Sequence, residues 1–104
     1  MKMNGSMEMV TFKMAEGTSR EAALEGIWSL DSFYSGTAGY QGMQAAQDDH
    51  TGTWILVLNW DSAESEKIAS AAMMSSMKTD GFKQLVVPQT VTKKIYPCYI
   101  SSGA

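Results

Sequence analysis

The segment that most restricts the fold of this 104-residue chain is a short run that is apolar on both sides. In a β-strand, successive side chains point to opposite faces of the sheet. One face of the predicted strand 53–60 carries Trp54, Leu56, Leu58 and Trp60, and the other face carries Ile55 and Val57. A strand with one face in water would alternate apolar and polar residues. Both faces of this strand are therefore predicted to be covered.

Three further strands and two helices are predicted around it. Strands are indicated by alternation over residues 7–14 and 40–47 and by β-branched residues over 90–96. The polar turn 48–52 joins strands 40–47 and 53–60 into a hairpin. The order β-α-β-β-α-β predicts an α+β, ferredoxin-like domain, with a four-stranded antiparallel sheet and both helices on one face. We assign residues 1–6 to a flexible leader, 7–97 to the domain and 98–104 to a C-terminal tail.

Each predicted helix begins at a capping signature and continues as an apolar stripe. Thr18 followed by Glu21 fits a capping box for the first helix, and Asp61 with Glu64 marks the second, where Ser62 is a competing cap. The stripe of the first helix consists of Ala23, Ile27, Leu30 and Tyr34, widened by Leu24, Trp28 and Phe33. The stripe of the second consists of Ile68, Ala69, Ala72, Met73 and Met77.

Composition excludes several classes of function. The chain has 8 Lys and Arg against 11 Asp and Glu, a formal charge of −3, and no basic run that could follow a phosphate backbone, so no nucleic-acid partner is expected. The apolar run 54–58 is far shorter than the ~20 residues that cross a bilayer, so no membrane segment is expected either. Cys98 is the only cysteine, which fits a reducing, cytoplasmic location.

The side of the third predicted strand that faces away from the helices predicts a homodimer. Two helices cover only one face of a four-stranded sheet, which leaves Ile55 and Val57 to be covered by something else. Burying these two side chains favours association by roughly 3–5 kcal/mol before entropic costs. The most economical partner is a second copy of the chain, packed through the open sheet face about a twofold axis. The alternative is that both side chains are simply exposed.

Short motifs along the chain resemble those of a known family. They are Val10-Thr11-Phe12-Lys13 leading into Gly17-Thr18-Ser19, Gly39-Tyr40, Leu58-Asn59-Trp60-Asp61-Ser62 and the later Phe82. With the Thr/Val/Lys-rich last strand, they resemble the antibiotic biosynthesis monooxygenase (ABM) domain family, part of the dimeric α+β barrel superfamily, over residues 7–97. The resemblance implies a homodimer whose two sheets pack back to back. Known members include cofactor-free quinone-forming oxygenases, haem-degrading oxygenases and many small proteins without a known activity.

The haem-degrading members carry residues that this chain lacks. The resemblance would require an Asn on the first strand, a Trp on the second helix and a His just after it. Here Asn4 lies in the predicted leader, the second helix has no Trp, and Lys83-Gln84-Leu85-Val86 follows Phe82 without a His. No axial haem ligand is supplied in this pattern, and no cofactor is expected. Trp60 does match a Trp that is common at the end of the family's third strand.

Three side chains are candidates for catalytic roles. His50, the only histidine, has the only unperturbed pKa near neutrality and could act as a general base at a cavity mouth, although its polar turn equally fits a solvent-exposed residue. Tyr34 and Trp60 could fix the orientation of a substrate through their polar tips. Asp48 and Asp49 beside His50 do not predict a metal site, because adjacent residues seldom converge on one ion.

Large apolar residues are candidates for a cavity between the helices and the sheet. Its ligand would be a small apolar or aromatic molecule. Methionine adapts to irregular ligands, and the chain has 9 methionines. The candidate ligand-binding residues are Trp28, Phe33, Met43, Trp54, Met73 and Met77. The alternative is that these residues form the core, as stripes at helical spacing usually do.

The sequence and the resemblance together favour an ABM-like homodimeric barrel that binds a small apolar or aromatic ligand. As an enzyme, it would be a cofactor-independent monooxygenase acting on a phenolic or quinol-like substrate. Such an enzyme needs mainly a pocket that deprotonates and positions an activated substrate. The alternative is a non-catalytic small-molecule-binding or stress-response barrel, because a fold does not fix a function.

Overall fold

A computed structural model describes residues 5–102 and shows one sheet covered by helices. The strands are β1 (Ser6–Phe12), β2 (Tyr40–Gln47), β3 (Trp54–Trp60) and β4 (Thr92–Pro97). The helices are α1 (Arg20–Tyr34), α2 (Ala63–Ser75) and α3 (Asp80–Lys83), and 3₁₀ turns at Met77–Thr79 and Pro88–Thr90 flank α3. The predicted α+β, ferredoxin-like order of strands and main helices is confirmed.

The four strands form an antiparallel sheet in the order β2-β3-β1-β4. Val10 of β1 lies opposite Leu56 of β3 on one side and Lys93 of β4 on the other. Paired residues share a face of the sheet, so Glu8, two residues before Val10, lies on the same face as Lys93. This face, called the inner face below, is the one against which the helices pack.

The first strand and the last strand differ from their predicted bounds. β1 begins at Ser6, the sixth residue of the predicted leader, while residues 1–4 of that leader lie outside the described residues. Met14, predicted to end the strand, instead forms a single antiparallel bridge with Val86. β4 begins at Thr92 because Thr90 closes the preceding 3₁₀ turn: its hydroxyl donates to the Val87 carbonyl at 2.7 Å and accepts from the Lys13 N–H at 2.8 Å.

Serine side chains cap both long helices. The hydroxyl of Ser19, whose backbone is extended, accepts a hydrogen bond from the N–H of Ala22 at 3.0 Å. The predicted capping box at Thr18 is therefore wrong by one residue. At the second helix, the hydroxyl of Ser62 accepts from the N–H of Ser65 at 3.1 Å, which identifies Ser62 as the cap. Each serine satisfies one backbone donor that the first helical turn leaves without a partner.

The predicted stripe of α1 forms the centre of the core, and Phe33 packs against it as predicted, but Leu24 and Trp28 do not widen it. Ala23, Ile27, Leu30 and Tyr34 are all buried. Leu24 and Trp28 are 37% and 66% exposed, respectively. Each follows a buried residue by one position, which turns it about 100° away from the sheet. The helix therefore presents a narrow apolar stripe to the sheet and leaves a large indole in solvent.

The second helix packs through a face that keeps Ala69 and Met73 of the predicted stripe and adds Glu66. Its buried residues are Glu66 and Ala69, with Met73 half-buried one turn later. Ile68 is 64% exposed, because it lies on the far side of this 66–69–73 face. Met77 lies beyond the end of α2, in a 3₁₀ turn, and is 85% exposed. The predictions that placed Ile68 and Met77 on the buried stripe are wrong.

The opposite face of the sheet, called the open face below, is not covered by any helix of the described residues. Two neighbouring rows of paired residues lie on this face. One row consists of Val57, Met9 and Lys94, and the next consists of Ile55, Thr11 and Thr92. Ile55 and Val57 are half-buried by their neighbours within the sheet alone. Over residues 5–102, none of the helices is long and apolar enough to span a membrane.

Candidate functional site

A cavity of about 400 Å³ lies between the inner face of the sheet and the helices. Most of its lining is apolar, contributed by Val10, Phe12, Leu56 and Leu58 of the sheet, Leu30 of α1, Met73 and Met74 of α2, and Phe82 of α3. The rings of Phe12 and Phe82 meet edge to face, with centroids 5.3 Å apart. The polar groups along the lining are those of Glu8, Tyr34, Ser70, Lys83 and Lys93.

Glu8 is a carboxylate on an otherwise apolar face. Only 4% of its surface is exposed, because the alternation of β1 directs it inwards under the helices. The indole Nε1–H of Trp60, at the end of β3, donates a hydrogen bond to its Oε1 at 3.0 Å. A buried polar group is costly without such a partner, so this bond from Trp60 is what makes the position of Glu8 tenable.

A second carboxylate and one ammonium group complete a charged cluster at this end of the cavity. Glu66 of α2 is only 2% exposed and forms an ion pair with Lys93 of β4 through its Oε2. The Nζ of Lys93 also lies 3.7 Å from Oε2 of Glu8 and donates to the hydroxyl of Ser70 at 3.2 Å. Three elements, β1, α2 and β4, thus bring two acidic groups and one basic group together.

Lys83, the other lysine of the lining, is committed to a structural role. Its Nζ donates to the carbonyl oxygens of Met73, Met74 and Ser76 at 3.1, 3.0 and 2.7 Å. These carbonyls lie at the end of α2, where a helix leaves its acceptors without internal partners and favours a cation. Lys83 therefore caps α2, and Lys93 is the lysine associated with the two carboxylates.

Burial sets the protonation behaviour of the site. Burial raises the pKa of Glu8 above its ordinary value, and the neighbouring carboxylate of Glu66 raises it further, while Lys93 and the indole of Trp60 act in the opposite direction. Burial also raises the pKa of Tyr34, helped by the charges of Glu8 and Glu66. Tyr34 therefore remains a neutral hydroxyl near pH 7, whereas Glu8 holds a proton more readily than an exposed glutamate does.

An aromatic cluster supports the charged end of the cavity. The ring of Tyr34 meets that of Trp60 edge to face at 5.1 Å, and Tyr40 lies 5.5 Å from Tyr34 and 5.1 Å from Trp60 between ring centroids. The hydroxyl of Tyr40 donates to Oδ1 of Asp31 at 2.7 Å. Because aromatic pairs of this geometry are stabilising and rigid, the cluster holds the indole of Trp60 in place behind Glu8.

Of the residues predicted for catalysis or binding, Tyr34 and Met73 line the cavity. Trp60 is completely buried directly behind it and reaches the lining through its hydrogen bond to Glu8. Met43 and Trp54 pack in the core without lining the cavity. Phe33 lines a separate pocket at the end of α1.

Three other predicted residues lie away from the cavity. Trp28 and Met77 are exposed on the helical layer. His50 is exposed in the turn between β2 and β3, where its N–H binds the Asp48 carboxylate at 2.8 Å. That turn adjoins Trp54, so the length of β3, about 20 Å at 3.3 Å per residue, separates it from Trp60. A role for His50 in this cavity stays a prediction that its position does not favour.

Three residues of the charged cluster were not predicted as site residues from the sequence: Glu8, Glu66 and Lys93. Glu8 gave a signal, because it is the one charged residue on the apolar face of the β1 alternation. Glu66 gave none, since acidic residues are common in the exposed first turn of a helix. The approach of Lys93 to both carboxylates depends on the sheet order, which places β4 beside β1.

The donor atoms of the site are oxygen and nitrogen atoms of charged and hydroxyl groups. No histidine or cysteine is present among the cavity-lining residues of the described chain. Over residues 5–102, no three His, Cys, Asp or Glu side chains come together in a group that could hold a metal ion. The chemistry available from the chain itself is hydrogen bonding and proton transfer at one end of an apolar cavity.

The fold is shared with proteins of known structure, although no family model and no curated protein matches the sequence. SnoaB, a cofactor-independent oxygenase from Streptomyces nogalater, aligns with a TM-score of 0.70 at 7% identity, over 92% of this chain and 94% of SnoaB. A candidate antibiotic biosynthesis monooxygenase from Nitrosomonas europaea aligns with a TM-score of 0.74 at 10% identity, over 99% and 98% of the two chains. Another candidate antibiotic biosynthesis monooxygenase, from Chloroflexus aurantiacus, aligns with a TM-score of 0.69 at 17% identity, over 95% of this chain and 98% of the other. The resemblance seen in the sequence is thereby confirmed at the level of structure: the chain has the fold of the ABM domain proteins.

Proposed function

We propose that this protein is a cofactor-independent monooxygenase that binds a small aromatic molecule, phenolic or quinol-like, in the cavity between the sheet and the helices. The observation that carries the proposal is the cavity itself, which is apolar along most of its lining and has a cluster of charged groups, with Glu8 and Lys93 in its wall. Its volume of about 400 Å³ lies within the range of small-molecule sites. The shared fold with SnoaB, described as a cofactor-independent oxygenase, supports the reaction class.

The shape of the lining favours a planar, mostly apolar ligand. Phe12 and Phe82 provide ring edges, and Met73 and Met74 provide flexible thioethers that adapt to an irregular outline. Glu8 is the carboxylate of the lining and can accept a hydrogen bond from a hydroxyl on the ligand, with Tyr34 as a second polar group in the lining. Such a site fixes one orientation of a phenol, with its oxygen towards the carboxylate and its ring among the apolar side chains.

The reaction needs electrons only from the substrate. A phenol that loses its proton becomes electron-rich and reacts with dioxygen at a ring carbon, and loss of water then leaves a quinone. For 1-naphthol the balance is one naphthol and one dioxygen giving one 1,4-naphthoquinone and one water. The contribution of the protein is to bind, orient and deprotonate, and these are the functions that the cavity and its charged end can supply.

The proposed assembly is a homodimer through the open face. Met9, Ile55 and Val57 form an apolar strip across the two central strands, and no helix of residues 5–102 covers it. Association of two such strips about a twofold axis buries both at once. The proposed interface and the cavity lie on opposite faces of the sheet, so a dimer of this kind does not occupy the cavity.

Native mass spectrometry of freshly purified protein tests binding and assembly together. We expect a mass of twice the 11.3 kDa chain, and an added mass of one 1-naphthol per chain after incubation with that phenol. A monomer at micromolar concentration would contradict the dimer, and a dimer that never takes up the naphthol would contradict the cavity as its site.

Oxygen uptake with 1-naphthol then separates the enzyme from its alternative. Consumption of one dioxygen per naphthoquinone formed, with protein acting catalytically, supports the monooxygenase. Binding of naphthol without oxygen uptake, across a panel of phenols and hydroquinones, would favour the non-catalytic binding protein that the same cavity also permits.

A further inference from the structure

Glu8 is the one acidic side chain that the cavity presents to a ligand. Among the lining residues of the described chain it alone carries a carboxylate, while Glu66 lies behind it, ion-paired to Lys93. Glu8 is 4% exposed, so a ligand that reaches it meets it in a dry environment. A hydrogen bond or a proton transfer in such an environment is stronger than the same event in water.

The carboxylate is held in a fixed position with acceptor capacity to spare. Trp60 Nε1–H occupies one direction on Oε1 at 3.0 Å, and the ammonium of Lys93 lies 3.7 Å from Oε2. An ionised carboxylate has about four acceptor sites. Trp60 and Lys93 account for two of these sites, so acceptor capacity remains, and the place of Glu8 in the lining puts it within reach of a donor on the ligand.

Burial in the cavity favours a neutral ligand with a removable proton over a permanent cation, even though the cluster is negative. Glu8, Glu66 and Lys93 carry one net negative charge when all three are ionised. An ammonium ligand would have to give up its hydration in an apolar cavity, and the nearest carboxylates are already paired with Lys93. A hydroxyl is far less costly to bury and can satisfy the free acceptor on Glu8.

We infer that Glu8 is the proton acceptor of this site and that its ligand is an aromatic phenol or enol, which donates its acidic hydroxyl to the carboxylate. The inference rests on the proposed function and names the residue that carries out its first step. Trp60 and Lys93 act as positioning residues for Glu8. His50, the base predicted from its neutral pKa alone, has no part in the step.

The step balances within the cavity. The O–H bond of the phenol breaks, its proton forms an O–H bond with a carboxylate oxygen of Glu8, and the electron pair stays on the phenol oxygen. The negative charge moves from Glu8 to the ligand, so the net charge of the cavity is unchanged. Lys93, which lines the cavity, lies close enough to the cluster to stabilise that charge in either position. Dioxygen is then reduced by the electron-rich phenolate, as in the proposed reaction.

The pH dependence of the step follows from every charged group around Glu8. Glu66 of α2 opposes its ionisation, Lys93 of β4 and the indole of Trp60 favour it, and the hydroxyls of Tyr34 and Tyr40 stay neutral. Glu8 accepts a proton only when it is ionised. Binding of a phenol is therefore expected to strengthen as pH rises through the raised pKa of Glu8.

The test is a fluorescence titration of the dimeric protein with 1-naphthol between about pH 5 and 8, where a phenol remains neutral in solution. The matched ligand is 1-methoxynaphthalene, which has the same ring and no proton to donate. We expect 1-naphthol to bind about tenfold more tightly at the high-pH end, since hydrogen bonds to charged groups are the strong ones, and 1-methoxynaphthalene to bind equally at all pH values.

Two variants assign the pH dependence to one residue. Glu8→Gln keeps the shape of the side chain and an acceptor for Trp60, and it should abolish the pH dependence and lower naphthol turnover by about 100-fold or more. Glu66→Gln is the control. It keeps Glu8 but removes the opposing charge, so the transition should persist and move to lower pH, even where Glu8→Gln does not fold.

The outcomes separate this inference from the function on which it rests. If the wild-type protein binds neither ligand, the proposed function is overturned and this inference with it. If both ligands bind equally at all pH values, or if Glu8→Gln retains the transition, Glu8 is not the acceptor although the cavity still binds aromatic molecules. An unmoved transition in Glu66→Gln would likewise overturn the assignment to Glu8.

Discussion

Trp60 connects the two parts of the site. Its ring is the centre of the aromatic cluster with Tyr34 and Tyr40, and its Nε1–H holds the carboxylate of Glu8. The resemblance to the ABM family singled out this position as a mark of the fold. The structure adds a physical reason for an indole there, because neither a phenylalanine nor a leucine could donate to the buried carboxylate.

Replacing Trp60 with Phe should destabilise the protein by more than the loss of ring volume explains. Trp54 provides the matched control. It is buried at the other end of β3, and its indole N–H donates to no protein acceptor within the described chain. We expect the unfolding free energy of Trp60→Phe to fall by about 1–3 kcal/mol more than that of Trp54→Phe, the cost of leaving Glu8 short of a partner. Equal losses in urea denaturation would show that the hydrogen bond contributes nothing.

The raised pKa of Glu8 predicts a specific dependence of stability on pH. Ionisation of Glu8 is disfavoured in the folded state. The contribution of Glu8 to the unfolding free energy is therefore fully present below its unperturbed pKa of 4.5 and is lost as pH rises through the raised pKa. The wild-type protein should therefore lose unfolding free energy relative to Glu8→Gln as pH increases from about 4. Urea denaturation of both proteins across a pH series measures this difference; a difference that stays constant or grows in favour of the wild type contradicts the shift.

Single residues show where sequence reasoning reaches its limit. Tyr34 and Met73 were predicted at the cavity because helical spacing alone points them inwards. The cluster of Glu8, Glu66 and Lys93 could not be predicted in the same way, because each residue comes from a different element and no spacing relates them. The charged residue on the apolar face of β1 was the only local sign that a polar site existed there.

The regular elements themselves were predicted in order and nearly to their ends, since each has a strong local signal. The turn 48–52 and the apolar run of β3 define the hairpin, and the buried stripe of α1 follows the helical period. The errors occur where tertiary contacts decide. Thr90 ends a turn instead of beginning β4 because its hydroxyl meets Lys13, which is distant in sequence.

The corrected start of α1 gives a direct test at the level of the helix. Ser19→Ala removes the hydroxyl that accepts from the N–H of Ala22 and should lower the unfolding free energy by about 1 kcal/mol. Thr18→Ala, the cap that the sequence pattern favoured, should change it by no more than about 0.5 kcal/mol. Urea denaturation distinguishes the two, and a larger loss in Thr18→Ala would restore the capping box.

At the scale of the whole molecule, the described residues form two layers, a sheet and the helices on one of its faces. Helices protect the inner face and the cavity, while the open face presents Met9, Ile55 and Val57. The asymmetry of the helices was predicted, because two helices cover only one face of a four-stranded sheet, whereas β3 is apolar on both sides. Covering of the open face by a second copy stays a prediction, because the surface that would meet that copy depends on how all four strands align.

Val57→Lys should convert the proposed dimer into a folded monomer. The substitution places a charge in the middle of the open face, where it would have to be buried against the second copy. Trp28→Lys is the control, since it replaces an exposed apolar residue of the helical layer by the same charge. Size-exclusion chromatography with light scattering should give the mass of one 11.3 kDa chain for Val57→Lys and of two for Trp28→Lys. The opposite pattern would place the interface on the helices.

The position of β4 at the edge of the sheet has a consequence for how the site opens. Among the described strands β4 pairs only with β1, all six of its residues are exposed, and it supplies Lys93. Edge strands fray at a lower free-energy cost than central ones. A fluctuation that detaches β4 would withdraw the ammonium group from both glutamates and loosen one wall of the cavity in the same movement. If ligands enter beside β4, their entry and the position of the Lys93 ammonium group depend on the same strand, and hydrogen exchange in β4 should slow when the cavity is filled.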